Sequence, residues 1–186
     1  YSVSESEQDA GNGACMRCLP VALGYLGAGP ETLAHTNRKQ AHVTHNNPLA
    51  DAGTLTVVRM VQAALLGEGT EALRTLADDL AQRHRAYRFD RRRMENPSAY
   101  LGDTLKAVFQ ALFATDDFES ALIDVVNRGG DADTTGAILG MIAGALYGRD
   151  AIPERWVSAL EKDTRRHCLR QARALITLIP SLRAAA

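Results

Sequence analysis

The sequence predicts an all-α globule of about seven to nine helices, and three observations carry that prediction. Apolar residues recur three and four positions apart in successive segments. Period-two alternation of β-branched residues, the mark of a strand, is missing throughout. Glycine and proline clusters divide the chain into helix-length pieces, and no fixed-period repeat joins them.

Taken in order, Asp9-Ala10-Gly11-Asn12-Gly13-Ala14 is a glycine-rich turn leading into the apolar run Cys15 to Leu26. As structure it reads as a helix entrance capped by Asn12; as function it offers backbone and side-chain groups to a polar ligand. Gly27 to Pro30 breaks the chain, and Pro30 to His42 reads as a short polar helix. Pro48 discourages helix at Asn47, so Thr44-His45-Asn46-Asn47 reads as a turn or as the lining of a pocket. From Ala50 to Leu66, apolar residues at Leu55, Val58, Val61, Ala64 and Leu65 predict an amphipathic helix. Gly67-Glu68-Gly69 ends it, and Thr70 is the expected cap of the next, whose face is Leu73, Leu76, Ala77 and Leu80.

Arg83 to Arg93 is a basic cluster with Tyr87 and Phe89 between the charges. Such interleaving suits nucleic acid or phosphate, but in a near-neutral chain it reads first as a solvated loop or partner-facing surface. Leu105, Val108, Phe109 and Leu112 mark a further helix beginning near Tyr100. Asp116-Asp117 precedes another over Phe118 to Val126. After the central element at 128 to 148, Pro153 restarts a helix with Trp156 and Leu160. Asp163 to Ile179 closes the chain, with Leu169, Ala172, Leu175, Ile176 and Ile179 as its expected apolar face, and Pro180 stops it.

The 186 residues fit one domain over 1–186, and 46% hydrophobic with 23% charged residues are globular values. A net charge of -1 provides no global field toward nucleic acid or anionic membrane, so neither is an expected partner. The longest uncharged run is too short to span a bilayer, and the first residues lack the pattern of a secretory signal. Three cysteines are too few for a disulfide framework, which makes a reducing cytoplasm the default location. Cys15 and Cys18 form a C-x-x-C without a second ligand pair, and they read as small buried residues rather than a zinc or redox site.

The stretch Arg128-Gly129-Gly130-Asp131-Ala132-Asp133-Thr134-Thr135-Gly136 crowds carboxylates and hydroxyls at the start of an apolar, helix-length run to Gly148. Asp131, Asp133 and Thr134 present hard oxygen donors, which suit Mg²⁺, Mn²⁺ or Ca²⁺ rather than zinc or copper. Capping the helix is the plain alternative, although it accounts for one acid better than two. An EF-hand is excluded because its further ligands and terminal Glu are absent downstream. Gly136, Gly140, Gly144 and Gly148 lie four apart, so a neighbouring helix is expected to approach closely there and the helix to sit centrally.

Several motifs in order, Gly11-Asn12-Gly13-Ala14 with Met16-Arg17, Thr44-His45-Asn46-Asn47-Pro48, Tyr100 with Asp103-Thr104-Leu105, and Gly129 to Ala137 with Gly140 and Gly144, resemble the ADP-ribosylglycohydrolase family. Its dinitrogenase reductase-activating branch is the most similar. The resemblance implies a compact, all-α orthogonal multi-helix bundle and a hydrolase that removes ADP-ribose from modified arginine on proteins with two Mg²⁺ or Mn²⁺ ions. It further implies Asp131, Asp133 and Thr134 as metal ligands and Asp9 as a substrate-contacting acid with a proton-transfer role. Asn12 and Gly13 are implied as ADP-ribose contacts, and His45 and Tyr100 as cleft residues. Members carry an upstream segment with a Thr-Asp-Asp cluster, so this sequence is expected to be the C-terminal major part of such a domain. A non-catalytic scaffold and a hydrolase of O-linked ADP-ribose are the alternative readings.

Overall fold

A computed structural model describes residues 2–6 and 10–179 of the chain. Among these residues there are nine α-helices and no strand, and one isolated bridge joins Gly11 to Tyr100. The helices are α1 (Leu19–Gly24), α2 (Pro30–Ala41), α3 (Pro48–Leu65), α4 (Gly69–Arg83), α5 (Leu101–Ala114), α6 (Phe118–Val126), α7 (Ala132–Tyr147), α8 (Glu154–Ala159) and α9 (Lys162–Ile176). The core forms where α3, α5 and α7 pack on one another, with α4 against α3 and α6 against α7. Met60, Leu101, Leu105, Phe109, Leu112, Ile138, Leu139 and Ile142 are fully buried there.

Local chemistry accounts for the boundaries. Proline opens α2 and α3, where its missing N–H falls among amides that have no intrahelical partner. Asn47 caps α3 by accepting from the Leu49 and Ala50 amides at 2.9 and 3.1 Å. Asp117 caps α6 through the Ser120 amide at 2.8 Å.

Three expectations change. The run after Asn12 is helical only from Leu19, and Asn12 does not cap it, because its amide is drawn across the chain to other partners. Thr70 lies inside α4, which begins already at Gly69. Of the anticipated closing apolar face, nothing within α9 is buried and Leu169 and Ile176 are exposed; Ile179, just beyond the helix, is the member that is buried.

The glycines of α7 also behave differently from a close-packed seam. A Cβ at Gly136 would meet Val126 at 3.2 Å, yet one at Gly140 would meet nothing within 4 Å. The helix is nevertheless central, since it packs on α3, α5 and α6 through Ile138, Leu139, Ile142 and Ala143. Cys15 and Cys18 are both fully buried, and the Cys18 side chain, together with burial, pushes the Cys15 thiol up. They are packing residues.

Candidate active site

The site is assembled at the N-terminal end of α7 by two segments that lack regular structure. The first is the turn Gly11 to Ala14. It is clipped to the entrance of α5 by Asn12 N donating to Ala99 O at 2.9 Å and Leu101 N donating to Ala10 O at 2.8 Å. The second is Asn96 to Ser98. Asp131 N donates to Pro97 O at 2.8 Å, and Asn96 N donates to Arg128 O at 2.8 Å.

Gly129 and Gly130 make the second contact possible. Both have positive φ, and a Cβ at Gly130 would lie 2.3 Å from Pro97 O. Only glycine adopts that conformation without strain and leaves room for the neighbouring carbonyl.

Asn12 is 6% exposed and spends its Nδ2 on the two sides of the site, donating to Thr104 Oγ1 at 3.0 Å and to Asp131 Oδ2 at 2.7 Å. The Asn12 amide, helped by the Thr134 hydroxyl, holds the Asp131 carboxyl below the usual aspartate range. Asp131 occupies the cap position of α7 without a side-chain cap hydrogen bond. The Thr134 amide also helps to hold the carboxyl low, so a capping contribution stands beside the Asn12 bond. Asp133 is exposed on the same turn, and the nearly buried Thr134 points its hydroxyl at Met16 Sδ, 3.9 Å away.

His45 lies over the glycine turn. A Cβ at Gly11 would meet its Nε2 at 2.9 Å, and one at Gly13 its Cε1 at 2.8 Å. Thr44 Oγ1 sits 2.7 Å from His45 Nδ1 and accepts from Arg17 at 2.7 Å. Arg17 also donates to Gly13 O and to the carbonyl of Gln40, which ties the turn to the end of α2. Tyr100, bridged to Gly11, is 38% exposed with its ring folded over Gly102.

The structure thus brings Asn12, Gly13, His45, Tyr100, Asp131, Asp133 and Thr134 to one mouth. Asp9 lies outside the described residues, one position before Ala10. Asn46 and Asn47 are turned to other work: their amides donate to Val3 O and Ser6 O and hold the N-terminal segment. Thr104, Arg17 and Pro97 are additions. Thr104 and Arg17 act by holding other site residues, and a lone Thr or Arg carries no sequence signal for that. Pro97 contributes only a backbone carbonyl, which every residue has.

Hard-cation ligation fits this donor set in part. Asp131 is kept ionised, Asp133 is open to solvent and Thr134 adds a hydroxyl, all oxygen donors. Among the described residues no group of three or more Asp, Glu, His or Cys gathers to hold a metal. Six-fold coordination would draw its remaining ligands from water, substrate or residues beyond those described.

The family pattern for ADP-ribosylglycohydrolase matches residues 2–184. The chain belongs to the ADP-ribosylglycohydrolase family. It is 49% identical over 173 residues to the ADP-ribosyl-(dinitrogen reductase) glycohydrolase of Rhodospirillum rubrum, covering 93% of this chain and 58% of that protein. It is 29% identical over 168 residues to the ADP-ribosylarginine hydrolase Tri1 of Serratia proteamaculans, covering 85% of this chain and 44% of that one. A solved ADP-ribosylglycohydrolase-related protein complex superposes with a TM-score of 0.82 at 36% identity, over 94% of this chain and 62% of the other. The chain accordingly spans about half the length of the curated ADP-ribosylglycohydrolase relatives it matches. No helix among the described residues is long and apolar enough to cross a membrane.

Proposed function

We propose that the protein carrying this chain hydrolyses the N-glycosidic bond between ADP-ribose and arginine on modified proteins, with two Mg²⁺ or Mn²⁺ ions as cofactors. One observation carries the reading: the Asn12 amide reaches from the glycine turn to fix the Asp131 carboxylate at the start of α7, beside Asp133 and Thr134. Relatives named for ADP-ribosylarginine and for ADP-ribosyl-dinitrogen reductase support the substrate class.

Asp131, Asp133 and Thr134 would hold the cations, which when bound supply charge to polarise ribose hydroxyls and orient water. The chain's own groups do the rest. The Gly13 amide makes no backbone hydrogen bond among the described residues, so it is our candidate donor to an ADP-ribose oxygen. His45 and Tyr100 form the walls that orient the ligand. In the hydrolysis a water oxygen bonds to the anomeric carbon, the C–N bond breaks, and the departing guanidine nitrogen takes up a proton. Asp9 is our candidate for moving that proton, on family resemblance.

The test is release of ADP-ribose from an ADP-ribosylated arginine protein with Mn²⁺, comparing the full protein with Asp131→Ala and Asp133→Ala. Loss in both variants is expected, and undiminished turnover in both would remove the metal assignment. Equilibrium dialysis reads cation binding separately from turnover.

A further inference from the structure

We infer that the arginine-rich segment from Arg85 to Arg92 is a preorganised docking surface for acidic protein sequence flanking the modified residue. This rests on the proposed function and adds to it what recognises the protein part of the substrate.

The segment from Arg83 to Glu95 carries six arginines against two acids in a chain of net charge -1. Arg93 is engaged by Asp124 and Glu95. Arg85, Arg88, Arg91 and Arg92 are exposed, and none has an ion-pair partner among the described residues. Unpaired cations in a loop are commonly just solvated, so the shape of the loop matters more than its charge.

That shape is fixed from beneath. Gln110 on α5 donates Nε2 to the carbonyls of Phe89, Arg91 and Arg92 at 3.0, 3.4 and 3.2 Å, and its Oε1 accepts from Met94 N at 2.8 Å. Tyr87 is fully buried with its hydroxyl donating to Leu49 O at 2.6 Å. Phe89 packs edge-on against Phe109 with ring centroids 5.4 Å apart. One side chain holds the backbone and two aromatic anchors point inward, leaving the arginines outward on a rigid frame.

The same anchors separate protein from nucleic acid. Single-strand binding combines basic charge with exposed aromatic faces on which bases stack. Here Tyr87 is fully buried and Phe89 is partly buried with its ring packed against Phe109 and Phe113, so the surface offers more charge than stacking face.

The loop also lies beside the site. Arg92, the nearest of the unpaired arginines, precedes Pro97, whose carbonyl holds Asp131 N, by five residues, a reach of at most about 18 Å. Arg128, whose carbonyl holds Asn96, is bonded through its guanidinium to Gln110. A peptide chain leaving the site can therefore meet Arg92 and Arg91 first, where opposite charge steers encounter and sets register.

The experiment compares two synthetic peptides carrying ADP-ribosyl-arginine, one flanked by aspartates and one by serines, with the full protein and its Arg88→Ala/Arg91→Ala/Arg92→Ala variant. Binding is read by fluorescence anisotropy, turnover by ADP-ribose release, and a labelled single-stranded oligonucleotide serves as the nucleic-acid probe. In about 0.05 M salt the aspartate peptide is expected to bind about tenfold more tightly than the serine peptide, and the preference to fade in about 0.5 M salt. The triple variant is expected to abolish the preference. Equal binding of both peptides, or a preference that survives the substitutions, overturns the inference, as does tighter binding of the oligonucleotide that the substitutions remove. Hydrolysis of both peptides with no preference retains the proposed function and rejects the docking surface. Preferential binding without hydrolysis does the reverse.

Discussion

Asn12 and Asp131 stand 119 positions apart in sequence and meet through a single hydrogen bond of 2.7 Å. That bond joins the glycine turn to the start of α7, and it favours the ionised form of the carboxyl.

Replacing Asn12 with Ala should raise the Asp131 carboxyl toward the ordinary value of 3.8. Because the folded-state value is depressed, Asp131 contributes stability that is present above pH 3.8 and is lost as the pH falls through the folded-state value. The variant should lose that contribution, so its acid unfolding should begin at higher pH than the wild type's. NMR titration of the Asp131 carboxyl checks the shift directly, and equilibrium dialysis should show weaker Mn²⁺ binding.

Gly130→Ala tests the contact with Pro97. The new methyl would require a φ of about +62° and would meet a backbone carbonyl at 2.3 Å, which cannot swing aside as a side chain can. Strain and overpacking together should destabilise by about 3 kcal/mol, measured by denaturant unfolding.

Asp124→Asn leaves the Arg128 guanidinium, 3% exposed, without its anion. The present carboxylate takes both Nε and NH2 of Arg128 on one oxygen, and although burial acts to raise it, Arg128 and Arg93 keep it low. Breaking the pair should cost about 3 kcal/mol, because an unpaired buried cation remains. Restoration by a second change that removes the charge, Arg128→Met, would separate the desolvation penalty from simple loss of packing.

Gly13→Ala should act on ligand binding more than on stability. Its methyl would lie 2.8 Å from the His45 ring, and the ring can turn away where a backbone cannot. We expect kcat/KM to fall about tenfold while the unfolding midpoint changes little, and a Gly13→Ala/His45→Ala double variant to be no worse than the worse single. Steady-state kinetics on an ADP-ribosyl-arginine substrate measures both.

Helix placement was legible in the sequence because it rests on local chemistry. The spacing of apolar residues located α3, α4 and α5, and Pro30 and Asp117 marked the starts of α2 and α6. Asn12 was misread as a cap for an equally physical reason: its amide suits a helix start and a long-range bridge alike, and only the folded chain decides between them. The α9 face misled because periodicity reports amphipathicity and not the partner that covers it. Thr70 lost its expected role because Gly69, with a φ of 76°, had already begun the helix. Among the candidate residues, those grouped in one motif, Asp131, Asp133 and Thr134, were found together. Arg17 and Thr104 stood inside the quoted motifs without a role, since they work by gripping carbonyls, hydroxyls and amides that only the folded chain brings to them.

The bridge between Gly11 and Tyr100 sets when this mouth comes into being. Residues 10–14 have no helix to hold them, so they wait for α5 and then α7, nearly 120 positions downstream, to be synthesised and docked. Contacts that close so long a loop form late in folding, and segments held by few bonds open earliest under native conditions. Amide exchange at Asn12 and Leu101 should therefore outpace exchange in the middle of α3 and α5, which makes the mouth a reporter of whether the chain has finished folding.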